Sequence, residues 1–340
     1  MEKKVSLKDI ATHLGVSITL VSYVINNKDK EARVGPEIAE KIRKTARELN
    51  YQPNLIAKSL KSGKTNTIGL IVADISNPFF SSIARIIEDE ARKYGYVVIF
   101  GSSDESAEKS QDLMNVFLNR QVDAFIIAPA EHTEQQVKVL QSSNIPVVLI
   151  DRYFPSVKTD CVHINNFQAA YQAVDHLAVS GRKKIAMMAY DTTLPHMVER
   201  VEGYKAALKE NKIRFKDTWL RKANYQHITK DVTAAMAALL EPTLQVDAFF
   251  FATNTLAVEC LKIINRSGIR VPDDLAIISF DENDAFDFFY APVSYMSQSI
   301  ADIGKGAVQL VIDRIKHPRK KPGSVVVEAK LVLRSSSGKK

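Results

Sequence analysis

The 340-residue sequence predicts two architectures in series: a small all-α helix-turn-helix unit, then an α/β region folded as two parallel-sheet lobes. Three observations predict it. Helical apolar spacing broken by a glycine corner fills the opening residues. Positive charge is concentrated in the same residues. From Thr67 onward, short β-rich apolar runs alternate with amphipathic helical stretches, the pattern of parallel sheets covered by helices. A chain this long, 46% apolar and 25% charged, has the balance of a globular protein with two or three cores.

The elements follow in order. Ser6 is placed to cap a first helix with Asp9 three residues on, and Leu7, Ile10, Ala11 and Leu14 fall on one face of it. Gly15 supplies the freedom for a corner, Val16 is an apolar peg, and Ser17 can cap a second helix that turns Leu20, Val21, Val24 and Ile25 inward. Ile18, Thr19, Ser22, Tyr23 and Asn26 then face outward. A tight corner of this kind is what sets a helix into a DNA groove. An ordinary helical hairpin has similar caps and corners, and charge separates the two readings. Residues 1 to 64 hold 13 Lys and Arg against 7 Asp and Glu, while the remaining 276 residues hold 33 against 32. A basic surplus confined to one small segment is the footprint of phosphate binding. A third helix opens at Pro36 and Glu37, repeats Ile38, Ile42, Ala46 and Leu49, and stops at Asn50 and Pro53. Residues 51 to 64 read as a basic linker holding a short helix capped by Asn54, too short to order without a partner.

The first set of strands is expected near Ile68 to Ala73, Val97 to Gly101, Ala124 to Ala128 and Val147 to Ile150, with helices near Phe80 to Tyr94, Glu108 to Arg120 and Glu134 to Ser143. The second set has strands near Val162 to Ile164, Lys184 to Ala189, Ala248 to Ala252 and Ala276 to Phe280. Its helices are near Phe167 to Ser180, Arg200 to Asn211, Ile228 to Leu240 and Leu256 to Ser267, and a last helix spans about Ile300 to Lys316. Open α/β sheets bind ligands beyond the carboxyl ends of their strands. Asp74 to Phe80 (with Phe79 and Phe80), Asp151 and Arg152, Arg200, Thr253 and Asn254, Asp281 and Gln298 lie there. They offer acceptors, a forked donor and aromatic faces, which suit a polyhydroxylated ring. Arg200, Asp281, Asp151 and Gln298 also have a purely structural reading, as a buried ion pair or a cap within one lobe.

Other classes are excluded by what is missing. The seven His are scattered, Gly304-Lys305-Gly306 lacks a third glycine, and no G-x-S-x-G occurs, so no catalytic residue, metal or cofactor is expected. Cys161 and Cys260 lack any pairing pattern and read as reduced, buried thiols. The charged start and the lack of an apolar run of about 18 residues point away from a signal peptide or a membrane span, and hence to the cytoplasm.

Taken together, the chain resembles the lactose/galactose-repressor family of transcription regulators from end to end. Val5 to Asn26 resembles the family's headpiece, and Tyr51-x-Pro-Asn with Ala57 and Leu60 its hinge helix. Ile68-Gly-Leu-Ile-Val72 with Asn77-Pro-Phe-Phe80 resembles the start of its effector domain. Arg200-Val-Glu-Gly-Tyr204, Val271-Pro-Asp-Asp-Leu275, Phe280-Asp281, Gln298 with Ile303-Gly304, and Leu333-Arg-Ser-Ser336 follow in family order and spacing.

The resemblance implies a headpiece at 1–50, a hinge helix and linker at 51–65, and a periplasmic-binding-protein-like effector domain at 66–340. Lobe 1 would hold about 66–161 and 293–321, and lobe 2 about 162–292 and 322–336. The chain would cross between them near Asp160 to His163, Tyr290 to Val293 and Lys320 to Ser324. It further implies DNA contacts from Ser6, Leu7, Ser17, Ile18, Thr19, Ser22, Tyr23, Asn26, Asn54, Ala57 and Lys58, with Leu60 as a minor-groove wedge. Effector contacts are implied for Phe79, Phe80, Asp151, Arg200, Asn254, Asp281 and Gln298. The expected partners are a palindromic double-stranded operator, a second copy of the chain, and a sugar or sugar derivative that switches a hinge between the lobes. The absence of apolar heptads at the C-terminal end favours a homodimer over a tetramer.

Two departures stand out. Tyr23 occupies a position where the family often has Arg, and Thr253-Asn254 one where it often has Asn-Asp, which removes a carboxylate. The competing reading is a cytoplasmic sugar binder of the same fold without specific DNA binding; the intact headpiece counts against it.

Overall fold

In the computed structural model, which describes residues 5–52 and 63–338, the chain divides between Thr65 and Asn66 into two units. The first is built of α1 (Leu7–Leu14), α2 (Ile18–Ile25) and α3 (Pro36–Glu48). Ser6 and Asp9 close a capping box, the Asp9 carboxylate accepting from the Ser6 N–H at 2.7 Å. Gly15 ends α1 at φ 67°, a left-handed turn that glycine makes without penalty. Two residues later Ser17 Oγ accepts from the Leu20 N–H at 3.1 Å and starts α2. Ile10, Val21, Val24 and Ile42 meet in a fully buried core, with Leu7, Leu14, Leu20 and Leu49 packed around it. The hinge candidates Asn54, Ala57, Lys58 and Leu60 lie outside the described residues.

The second unit contains two six-stranded sheets among the described residues. In chain order its elements begin β1 (Thr67–Val72), α4 (Pro78–Lys93), β2 (Val97–Ser102), α5 (Ala107–Asn119), β3 (Ala124–Ile127), α6 (Glu134–Ser142), β4 (Val147–Ile150) and β5 (Asp160–Ile164). Then come α7 (Asn166–Val179), β6 (Ile185–Tyr190), α8 (Pro195–Glu210), β7 (Leu220–Ala223), α9 (Ile228–Leu239), β8 (Ala248–Phe251), α10 (Asn254–Ser267), β9 (Ala276–Phe280), α11 (Ala285–Phe288) and β10 (Ser294–Gln298). The chain closes with α12 (Ile300–Lys316), β11 (Ser324–Val327) and β12 (Ala329–Val332).

Lobe 1 carries the sheet β11-β5-β4-β3-β1-β2 and lobe 2 the sheet β12-β10-β9-β8-β6-β7. The central strands β3, β4, β8 and β9 are buried along their whole length, which is why they read as unbroken apolar runs. Both lobes share the order 2-1-3-4-5. The connections reverse direction between β1 and β3 and between β6 and β8, which opens a crevice at the carboxyl ends of those strands.

Two expectations are corrected. The chain crosses between lobes at Asn165, Ser299 and Glu328, each a few residues later than the sequence suggested. β5 stays with lobe 1 through the pairs Val148↔Asp160 and Ile150↔Val162, and β10 with lobe 2 through Ser294↔Ile278 and Met296↔Phe280. A strand leaves its sheet only where its ladder ends, and every crossing departs from a strand's carboxyl end. Nor is the second sheet wholly parallel: β12 runs antiparallel to β10. β11 reaches the cleft running with its sheet, and a chain that passes straight across must run backward in the sheet it meets.

Candidate functional site

On the first unit, α2 turns Ile18, Thr19, Tyr23 and Asn26 to solvent, with Ile18 47% and Tyr23 42% exposed. Large apolar side chains left bare on a charged unit suit contact with a partner surface. Leu7 and Ser22 are half-buried, and the Asn26 amide donates to the Ser22 carbonyl at 2.8 Å, which ties the end of α2 to itself. Lys41, Arg43, Lys44 and Arg47 of α3 are each paired with an acid. Among the described residues of this unit, Lys8, Lys28, Lys30 and Arg33 form no ion pair, so the unmatched charge lies on α1 and the turn after α2.

In the second unit the carboxyl ends of the two sheets meet across a cleft. Asp151 and Asp281 stand one residue past β4 and β9, each buried and each in the left-handed region, at φ 63° and 65°. Their backbone N–H groups make matching bonds, to the Val162 and Met296 carbonyls at 2.9 and 3.0 Å. The same turn, one that Asp tolerates better than most residues, thus brings a carboxylate from each lobe to the cleft wall. Arg200, on α8, donates through Nε to Asn166 at 2.9 Å and through Nη1 to the Ala252 carbonyl at 2.7 Å. Its guanidinium lies 3.5 Å from the centre of the Phe280 ring. Arg152 pairs fork to fork with Glu105, both bonds 2.6 Å, and stands over Phe80. Phe79 and Phe80 meet edge to face at the start of α4.

The lobes are clasped. Tyr225 donates to Asp74 and Tyr153 to Glu199, both at 2.6 Å; the Asn254 amide donates to Asn77 at 3.1 Å; and the Thr193 N–H donates to Glu131 at 2.7 Å. The cavity left between Phe79, Phe80, Asp151, Arg200 and Asp281 is about 30 Å³. Buried polar atoms without a hydrogen-bond partner among the described residues include Arg152 Nε, Tyr190 OH, His196 Nδ1 and Gln298 Oε1, all at this cleft. The Tyr190 hydroxyl faces Thr253 and Thr255 outside hydrogen-bonding geometry, and Arg152 Nε meets the Asp151 carboxylate at 3.3 Å as an ion pair and not a hydrogen bond. Leaving such groups buried and unpaired costs free energy unless something else meets them.

Burial lifts the Asp281 carboxyl to about 6, against the pull of Arg200 and of the Gln298 amide, which donates to it at 2.5 Å. Burial also holds Asp151 above its usual range, and pushes His196 well below its own, with Arg152 and Arg200 acting in the same direction. His196 is therefore a neutral imidazole. The Asp281 shift makes a prediction. The folded protein binds this proton more tightly than the unfolded chain, whose value is 3.8, so stability falls as pH rises from about 4 through about 6. The loss is about 3 kcal/mol. Asp281→Asn is expected to flatten that decline, which denaturant midpoints at pH 4.5 and 7.5 would reveal; an unchanged slope would refute it.

Of the sequence candidates, Phe79, Phe80, Asp151, Arg152, Arg200, Thr253 and Asp281 line the 30 Å³ cavity. Thr253 also caps α10, accepting from the Leu256 N–H. Gln298 opens instead on an adjoining recess of about 130 Å³ beside Asp281. Asn254 is fully buried and committed to Asn77 and to the Glu282 carbonyl, so the amide found in place of a carboxylate serves the clasp between lobes. The sequence reading missed Glu105, Tyr190, His196 and Tyr225. Tyr190 is the last residue of β6 and could have been found by inspecting that strand's end.

Comparison with known proteins covers both units. Residues 6–54 match the family described as bacterial regulatory proteins, lacI family, and residues 174–337 the periplasmic binding protein-like domain. The ribose operon repressor of Haemophilus influenzae is 30% identical over 331 residues, 97% of this chain and 98% of that one. Catabolite control protein A of Priestia megaterium is 34% identical over 308 residues, 90% and 91% of the two chains. Among solved structures, the transcriptional regulator CelR in complex with cellobiose superposes with a TM-score of 0.73 at 25% identity, covering 98% of this chain and all of that one. With relatives this similar over nine-tenths of its length, the chain belongs to the lacI family of bacterial regulatory proteins, which are DNA-binding transcription regulators and not enzymes.

Proposed function

We propose that this chain is a sequence-specific repressor whose operator affinity is switched by a sugar or sugar derivative bound between the two lobes. The observation that carries this reading is the set of unpartnered polar atoms converging on a cleft that hydrogen bonds hold shut. A ligand that satisfies those atoms favours one lobe arrangement over another, and such a difference in affinity is what shifts a population. The cleft combines carboxylates, amides, forked donors and aromatic faces, which match the hydroxyls and the C–H faces of a sugar. Cellobiose, bound in the CelR complex, and ribose, whose operon gives the Haemophilus relative its name, are of this chemical kind.

In this reading a cytoplasmic homodimer sets two headpieces into successive major-groove half-sites of a palindrome. Ser6, Leu7 and Ser17 fix the frame, while Ile18, Thr19, Ser22, Tyr23 and Asn26 face the bases. Tyr23 offers one hydrogen bond where an arginine would offer two, so base preference there differs from that of Arg-bearing relatives. Asn54, Ala57 and Lys58 form the hinge segment, with Leu60 the wedge. The test is selection of genomic fragments by the full-length protein, followed by binding at two salt concentrations with and without a panel of saccharides. A palindromic site whose occupancy one saccharide changes is the expected result. Sequence-indifferent, steeply salt-dependent binding under every condition would overturn the proposal.

A further inference from the structure

The inner cavity has a neighbour. A second chamber of about 210 Å³ opens beside it, and Glu105, Arg152, Tyr190, His196 and Tyr225 line both. The bonded Arg152–Glu105 fork therefore forms part of the wall between them. Two of the shared side chains carry atoms without a hydrogen-bond partner among the described residues, Tyr190 OH and His196 Nδ1, and Arg152 Nε has only its ion pair with Asp151. Arg152 and His196 are 7% and 4% exposed, so neither is satisfied by bulk water. Unmet hydrogen-bonding capacity is thus concentrated where the chambers join.

We infer that the effector is longer than one sugar ring: a disaccharide, or a glycoside of similar length, with one unit on Phe79 and Phe80 and the second in the outer chamber. This rests on the sugar-effector reading and narrows it. The inner cavity holds roughly one or two waters in the clasped state and must open for any ring to enter. The outer chamber already has room, and its walls are those of a sugar subsite. The Tyr190 and Tyr225 rings, 5.7 Å apart, offer apolar faces. Asp104, Glu131, Asn224 and Gln226 bring acceptors and amide donors to its lining. A single ring on Phe79 and Phe80 would leave this chamber to solvent. A two-unit ligand fills it, and its linking oxygen and flanking hydroxyls fall at the junction where the unpartnered atoms lie. Entry requires Glu105 to release Arg152. Both Asp104 and Glu105 hold left-handed backbone, at φ 49° and 57°, so the loop that presents Glu105 is itself a strained element.

The test is calorimetric titration of the full-length protein with cellobiose, maltose, lactose and sucrose beside D-glucose, D-galactose, D-fructose and D-ribose. It is repeated on Gln226→Trp, which adds bulk at the rim of the outer chamber, and on Tyr190→Phe, which removes only the junction hydroxyl. The expected result is one disaccharide bound at least tenfold more tightly than either of its component sugars. Gln226→Trp should erase that advantage without weakening the monosaccharides, and Tyr190→Phe should lower disaccharide affinity about fivefold. A monosaccharide bound as tightly as every disaccharide containing it would overturn the two-chamber inference and leave the sugar-effector proposal standing. A disaccharide advantage untouched by Gln226→Trp would also overturn it, since the second unit would then lie elsewhere. Failure of every saccharide of either size to bind would overturn both.

Discussion

Arg200→Ala is expected to abolish the response to effector while leaving operator affinity largely intact. Arg200 is 2% exposed, and Nε and Nη1 are spent within lobe 2 on Asn166 and Ala252. These bonds and the Phe280 ring hold the guanidinium rigidly between two carboxylates, Asp151 from one lobe and Asp281 from the other, which counter the lowering of its pKa by burial. A preorganised fork of this kind binds a ligand oxygen at little entropic cost. Truncating one side of a buried charged hydrogen bond costs about 2–5 kcal/mol, or roughly one and a half to nearly four orders of magnitude in ligand affinity. Arg200→Lys keeps the charge but cannot reproduce both bonds, and should fall between the two. The headpiece is a separate unit with its own core, so its fold does not depend on this residue. Ligand titration and operator binding on the same preparation check the prediction; loss of DNA binding with an unaltered effector response would refute it.

The second large effect concerns Gly203. Alanine usually stabilises a helix by close to 1 kcal/mol relative to glycine. Here the sign should reverse. A Cβ at this position would lie 2.3 Å from the Phe167 carbonyl oxygen and 3.0 Å from the Tyr171 nitrogen, both backbone atoms of α7 that cannot swing aside. The close packing of α7 on α8 depends on this bare spot. Gly203→Ala is expected to destabilise the larger unit by about 3 kcal/mol or more. It should weaken ligand binding as well, because α8 carries His196 and Arg200 into the cleft. Thermal unfolding followed beside headpiece DNA binding would show it; an unchanged or raised midpoint would mean that the two helices are not in that contact.

The long elements were legible because their physics is local. Apolar runs of four to six residues flanked by amphipathic helices placed β1, β4, β6, β8 and β9 to within a residue or so, and the caps at Ser6 and Ser17 placed the headpiece helices. Of the four strands that escaped the reading, β7, β10, β11 and β12, three lie at sheet edges. Leu220–Ala223 carries Arg and Lys, and most of Ser324–Val327 is exposed, so neither shows the apolar run of a buried strand. The site was legible where a strand had been found. Asp151 and Asp281 follow strands that were read correctly, whereas Tyr225 follows one that was not. His196 lies in a first helical turn that opens at Pro195, ahead of the Arg200 start expected from the sequence. Glu105 reaches the cleft through two consecutive left-handed residues, a conformation that composition does not announce.

The interleaving of the lobes has a consequence for synthesis. Lobe 1 begins at β1, yet α12 fills its flank: Ile303, Ala307, Val308, Val311 and Ile312 are buried, and Gly304 lies so close to α4 that a Cβ would meet Ile86 at 2.6 Å. On the ribosome, the β3 and β4 face that α12 covers therefore waits, uncovered, while the whole of β6 to β10 is made. The half that is translated first thus stays incomplete while most of the other is made, and a nascent chain arrested before Ile300 would present that apolar face to whatever holds unfolded chains in the cell.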